Sequence, residues 1–212
     1  KDIIMISNGC DLGLISKARI QSKHEKFVAV FTGAHGLANG LESVVDTAQI
    51  LAEMGNENIE IQFIGDGALK EQLKERVKTK KINNCLFLDP MPKVILFNYL
   101  SSNADIGLMI LKDIPAFYFG TSPNKFFDYI SIGLPVLNNY PGWLSEIIKE
   151  HNCGVAISPN DPELFAKTLV SLSENKNKMN LMGNNAKKIA QNKFDRRKLA
   201  EKFVNFIESQ IV

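Results

Sequence analysis

The alternation of short apolar runs with longer amphipathic segments constrains this chain more than any single residue. Runs of strand length fall at Phe27 to Thr32 (FVAVFT), Ile59 to Ile64 (IEIQFI), Cys85 to Leu88, Asp105 to Leu111 (DIGLMIL), Pro135 to Leu137 and Val155 to Ile157. Between them lie segments of helical period: Leu41 to Met54, Leu69 to Val77, Pro92 to Leu100, a helix opening at Ser122 and Pro123, and Trp143 to Glu150. Pro162 to Leu172 follows an N-cap at Asp161, and Met179 to Gln191 and Arg196 to Ile211 close the chain. Strands separated by helices predict an α/β fold: a doubly wound, mostly parallel, Rossmann-like sheet with helices on both faces. Right-handed crossovers put the carboxyl ends of all strands on one edge, where ligands of such sheets bind.

With 212 residues, 45% hydrophobic and 23% charged, the chain can bury such a core as a soluble protein. A net charge of +2 argues against nucleic acid as a partner. Basic residues cluster at Lys78, Lys80 and Lys81, and again at Lys187, Lys188, Lys193, Arg196, Arg197, Lys198 and Lys202. Such clusters fit a solvated helical face, or a patch for anionic lipid or phosphate. Cys10, Cys85 and Cys153 form no CxxC pair, and His24, His35 and His151 have no metal-ligand spacing. A reducing, cytoplasmic setting without a structural metal is expected. No apolar run approaches the roughly 18 residues of a membrane span. The chain starts without a methionine and is expected to be part of a longer protein.

Chemistry should therefore lie in the loops after strands. The first, TGAHGLANG, carries Gly33, Gly36 and Gly40, which let backbone approach a ligand and open onto a helix N-terminus. It is not the dinucleotide fingerprint GxGxxG. His35 in this loop fits either a ligand contact or a solvated turn residue. Gly65-Asp66-Gly67 after the second strand fits a tight turn, and its place also suits a wall for a base or ribose.

The segment Gly120 to Leu137, GTSPNKFFDYISIGLPVL, is more specific. Ser122 suits an N-cap and Pro123 the first helical position, so the amides of Asn124 and Lys125 should face outward at the positive end of the helix dipole. Lys125 adds a movable charge, a combination suited to a diphosphate. Asn124, Lys125 and Asp128 are expected on one face, with Phe126, Phe127 and Ile130 on the sheet side. Asp128 lies about 7–8 Å along the helix from Pro123, the reach from a diphosphate to ribose hydroxyls. The competing reading of Asp128 is an ion pair with Lys125.

In their order and spacing, FTGAHGLANGLESVVDTAQIL, FIGDGALKEQL, SSNADIGLMIL and SPNKFFDYISIGLPVL resemble the donor-binding domain of GT-B nucleotide-sugar glycosyltransferases of group 1, family four. The residues Ile6 to Asp11 resemble the passage into that domain from an acceptor domain. The resemblance implies residues 1–25 as that lead-in segment, 26–194 as the nucleotide-sugar-binding domain, and 195–212 as a helix crossing back to a missing N-terminal domain. It implies a ribose-binding role for Asp128, the second acid of a Glu, seven residues, Glu motif. It places the diphosphate and sugar near Gly33, His35, Gly36, Ser122, Asn124 and Lys125, and the base near Gly65, Gly67, Leu88 and Met91. Catalytic residues are not assigned. No cofactor or metal is implied beyond the nucleotide-sugar co-substrate.

Two departures stand out. Gly120 occupies the place of the first glutamate, and Ala34 and Asn39 stand where an arginine and a lysine usually grip the diphosphate. Lys125 and His35 are expected to supply the missing charge. The loop GxHGxAxGL with SPNKFFDY most resembles retaining transferases of bacterial surface polysaccharide assembly, including those moving acetamido-fucose-type sugars. A UDP-linked donor, a saccharide or lipid-linked acceptor and a position at the inner membrane face follow as expectations. A nucleotide-sugar epimerase and a binding subunit of a split enzyme are the alternatives.

Overall fold

The structure, a computed structural model, describes residues 3–14 and 25–210. His24 lies outside the described residues. Six strands form one parallel sheet: β1 (Phe27–Thr32), β2 (Ile59–Ile64), β3 (Cys85–Leu88), β4 (Ile106–Met109), β5 (Val136–Asn138) and β6 (Gly154–Ala156). Their order is β3-β2-β1-β4-β5-β6, so the chain winds outward from β1 in one direction and from β4 in the other. The crevice between the carboxyl ends of β1 and β4 is the topological switch point, where ligands of open α/β sheets bind.

The intervening helices are α1 (Leu41–Glu53), α2 (Lys70–Thr79), α3 (Lys93–Asn103), α4 (Asn124–Ser131) and α5 (Trp143–Glu150). Three more follow β6: α6 (Pro162–Ser173), α7 (Lys176–Lys193) and α8 (Arg196–Ser209). Alternation along the strands sends successive side chains to opposite faces. Ala29, Phe31, Ile61, Phe63, Ile106 and Leu108 join α1, α2 and α6 in one buried cluster. Val30, Ile64, Met109 and Val136 join α3, α4, α5 and α7 in the other. The expected doubly wound architecture is the one observed.

Local capping fixes several helix starts. Asp161 Oδ1 accepts from Leu164 N–H at 2.8 Å, as its position before Pro162 predicts. Asn175 and Asp195 cap α7 and α8 in the same way, accepting from Lys178 and Arg197 N–H. The expected cap at Ser122 is not formed. Pro123 is itself the N-cap, with extended backbone at φ −71° and ψ 133°, and α4 begins at Asn124. Strand β4 is shorter than its apolar run, because past Met109 the Asn139 side chain pairs with Leu111, accepting from its N–H at 2.9 Å and donating to its carbonyl at 3.0 Å. Strand β6 begins at Gly154, where an added Cβ would stand 1.9 Å from the Val136 carbonyl oxygen.

Candidate functional site

Helix α4 is seated over the switch point by a residue whose pairing its spacing does not predict. Tyr129 is fully buried, and its ring lies where a Cβ on Gly107 would come within 2.4 Å. Its hydroxyl accepts from Thr32 N–H and meets Thr32 Oγ1, both at 2.9 Å, at the last residue of β1. Helix α4 is thereby fixed against the end of β1 and the body of β4. The N–H groups of Asn124 and Lys125 have no acceptor within the helix.

Lys125 and Asp128 leave this helix in different directions, which corrects the expectation of a shared face. Lys125 Nζ lies 3.7 Å from the centroid of the Phe31 ring and 3.5 Å from Asn39 Oδ1. It stands beside Gly33, whose φ of +122° marks the turn out of β1. Burial pushes the half-buried Lys125 ammonium down, to about 7. Asn39 also donates to the Ala34 carbonyl at 2.8 Å, so the two positions where the family resemblance expects cations are joined to each other and to Lys125.

Asp128 faces the N-terminal segment and α8. Its partner is Lys93, at 3.1 Å, not Lys125. Lys93 also binds Asp11 Oδ2 at 2.7 Å, and Arg196 Nε binds Asp11 Oδ1 at 3.0 Å. Burial pushes the Asp128 carboxyl up; Lys93 opposes this, Asp11 adds to it, and Arg196 opposes it. Asn124 is exposed and shares with Asp128 and Lys93 a cavity of about 590 Å³ that Ser7, Asn8 and Phe203 also line. Ser122 Oγ is buried without a hydrogen-bond partner among the described residues, and its carbonyl accepts from Asn8 Nδ2 at 2.7 Å.

His35 takes a different place from the one expected. Its ring is completely buried against Phe31, Phe63 and Phe87, with centroids 6.1–6.3 Å away, and cannot touch a diphosphate in this arrangement. Burial, with Lys70 nearby, lowers its pKa and keeps it neutral. Its backbone instead ties two loops together: His35 N–H donates to the Asp66 carbonyl at 2.8 Å, and Leu69 N–H to the His35 carbonyl at 2.9 Å. Gly65 and Gly67 serve the same junction. A Cβ on Gly65 would stand 2.0 Å from the Gly33 carbonyl oxygen, and one on Gly67 2.7 Å from that of His35. Gly36 has open space at its Cβ position, so the loop presents bare backbone there. Leu88 and Met91 lie half-buried at the end of β3 and in the loop after it, and the Leu88 carbonyl accepts from Gly65 N–H at 3.1 Å.

The N-terminal segment packs on the junction of α7 and α8. Cys10 N–H donates to the Phe194 carbonyl at 2.6 Å, and Arg196 N–H to the Cys10 carbonyl at 3.2 Å. Sequence reasoning did not find Lys93, Asp11 or Arg196 as members of this site. Their separation along the chain leaves no local spacing to read. Among the described residues no group of three or more His, Cys, Asp or Glu could hold a metal ion, and no helix is long and apolar enough to cross a membrane.

Comparison with known proteins places these features in context. A family model described as glycosyl transferases group 1 matches residues 15–189. The probable glycosyltransferase WbjE of Pseudomonas aeruginosa is 26% identical over 151 residues, 70% of this chain and 36% of that protein. Anabaena HepE, solved in complex with UDP and glucose, superposes with a TM-score of 0.77 at 19% identity, over 96% of this chain and 56% of HepE. The C-terminal domain of the group 1 family protein LpcC from Francisella tularensis gives a TM-score of 0.72 at 15% identity, over 89% of this chain and all of that domain (100%). The chain thus spans little more than a third of the curated relative.

Proposed function

Because the chain belongs to the group 1 glycosyl transferases, we propose that it is the donor-binding half of a retaining transferase acting on a UDP-linked sugar. The observation that carries this reading is the divergence of Lys125 and Asp128 from one helix start at the switch point. In this reading the donor diphosphate sits between the bare backbone of Gly33 to Gly36 and the first amides of α4. Lys125 reaches it from beside Asn39, supplying a cation from α4 where the loop lacks one. The helix dipole adds positive potential at the same place.

Asp128 lies nearly one turn further on, and as a carboxylate it accepts from two ribose hydroxyls at once. The base then lies toward the loops carrying Leu88, Met91, Gly65 and Gly67. During transfer the bond from the anomeric carbon to the diphosphate oxygen breaks as an acceptor hydroxyl oxygen bonds to that carbon, negative charge grows on the departing phosphate oxygen, and the hydroxyl proton passes to that oxygen. Lys125 and the α4 amides stabilise that charge without a metal ion, as fixed donors aimed at developing charge do. HepE, a structural relative solved with UDP and glucose, supports UDP over other nucleotides. The acceptor, a surface polysaccharide or lipid-linked saccharide reached from the inner membrane face, belongs to a further N-terminal domain.

Calorimetric titration with UDP, GDP, ADP and dTDP tests the reading. UDP binding is the expected outcome, and Asp128→Ala should weaken it by about 1.5–3 kcal/mol, the scale of hydrogen bonds to a charged group. Failure of all four to bind at millimolar concentration would sink it.

A further inference from the structure

We propose that Lys93 is a positioning residue for donor ribose, holding the Asp128 carboxylate oriented and ionised against the neighbouring Asp11. The inference rests on the ribose role proposed above for Asp128.

Lys93 is the first residue of α3, directly after the loop carrying Met91. Its ammonium spans two carboxylates, Asp11 Oδ2 at 2.7 Å and Asp128 Oδ1 at 3.1 Å, and lies 5.5 Å from the Phe97 ring centroid. Arg196 from α8 takes the other oxygen of Asp11 at 3.0 Å and donates to the Gly9 carbonyl at 3.0 Å, so that guanidinium is committed to the N-terminal segment. Lys93 is thus the cation in direct contact with Asp128 among the described residues.

The groups facing Asp128 are Lys93 from α3, Asp11 and Cys10 from the N-terminal segment, and Arg196 from α8, with Tyr129 beside it on α4. Burial pushes the Cys10 thiol up to about 12 and the Tyr129 phenol above its usual range, so neither ionises near neutral pH. Removing Lys93 leaves the buried Asp128 carboxyl beside Asp11 with only the more distant Arg196, already bound to Asp11, to oppose it, and Asp128 then takes up a proton at higher pH. A protonated carboxyl gives up acceptor capacity that two ribose hydroxyls need. A residue that merely held α3 in place would not change the pH at which ribose binding fails.

The test is calorimetric titration of the 212-residue chain with UDP and with 2′,3′-dideoxyuridine diphosphate at a series of pH values from the ordinary carboxylate range, about pH 4, upward past neutrality. Unaltered protein is compared with Lys93→Met and Lys93→Arg. Lys93→Met is expected to weaken UDP binding roughly ten-fold or more at neutral pH and to move the acid-side loss of affinity to higher pH. Dideoxyuridine diphosphate should bind both proteins alike, and Lys93→Arg should restore the unaltered UDP profile. An unchanged UDP profile in Lys93→Met, or an equal loss for both ligands, overturns the inference and leaves the donor reading standing. If the unaltered chain binds no UDP, both fall together.

Discussion

At the scale of single residues, the site is organised around two lysines with opposite circumstances. Lys93 is held between carboxylates, whereas Lys125 leans on Phe31 with no acidic partner among the described residues and is pushed down to about 7. An ammonium whose folded pKa lies below its unfolded value destabilises the protein as pH falls from the unfolded value toward the folded one. Lys125→Met is therefore expected to raise the melting temperature at pH 7 and below, a gain that vanishes above about pH 10.5, where the lysine is neutral in both states. The same change should weaken UDP binding roughly ten-fold, because a charge-assisted contact to the diphosphate is lost. A diphosphate that draws the proton back onto Lys125 makes binding take up protons near pH 7–8. Calorimetry in buffers of different ionisation enthalpy measures that uptake directly. His35 is the contrasting case. Its ring nitrogens are buried without partners among the described residues. His35→Leu should stabilise the fold by about 1 kcal/mol or more in denaturant unfolding, with UDP affinity within two-fold of the unaltered protein.

At the scale of elements, the β1 and β2 loops behave as one unit. Gly65 has φ +146° and faces the Gly33 carbonyl so closely that a methyl group would overlap it, and Gly33 N–H donates back to the Ile64 carbonyl at 2.9 Å. Gly65→Ala combines backbone strain with a clash against fixed backbone, and should cost roughly 2–4 kcal/mol in chemical denaturation. Apolar periodicity, with caps and prolines at helix starts, located the six strands and eight α-helices, since all but α8 bury part of their apolar surface, while the short 3-10 turns such as Pro115–Phe117 carry no such signal. Phe126, Phe127 and Ile130 are buried as expected, with both phenylalanine rings set against Phe194 at the end of α7. The element ends were less legible, since they turn on single contacts and backbone angles that no period reveals. Asn139 ends β4 in this way, and Pro123 displaced Ser122 as the cap of α4. Lys125 and Asp128 were legible as residue types suited to diphosphate and ribose, but their divergence was not. That depends on Phe31 and Lys93, which lie far from them in the chain and adjacent only through the sheet order.

At the scale of the whole molecule, α4 meets the two ends of the described chain across one cavity. The cavity beside Asp128 is bounded by the N-terminal segment and by α8, whose residues are none of them buried. Phe203, Val204 and Ile207 on that helix are 53%, 50% and 43% exposed, an apolar face continuous with the cavity through Phe203. In the proposed reading, donor binding draws on α4, the loops after the first three strands and Lys93 of α3. Transfer needs an acceptor hydroxyl held within bonding reach of the anomeric carbon, and such orientation is worth effective concentrations of about 10⁵–10⁸ M. In the reading proposed above the acceptor is held by a further domain, and this chain spans 36% of the curated relative's length. The 212-residue chain is therefore expected to bind UDP while releasing it from a UDP-sugar at least about 10³-fold more slowly than the roughly 10 s⁻¹ typical of enzymes. A coupled assay for UDP release, run beside the calorimetric titration on the same preparation, separates the two properties. Turnover at an ordinary enzymatic rate by this chain alone would show that the acceptor is held by residues within it, and that donor and acceptor recognition share one domain.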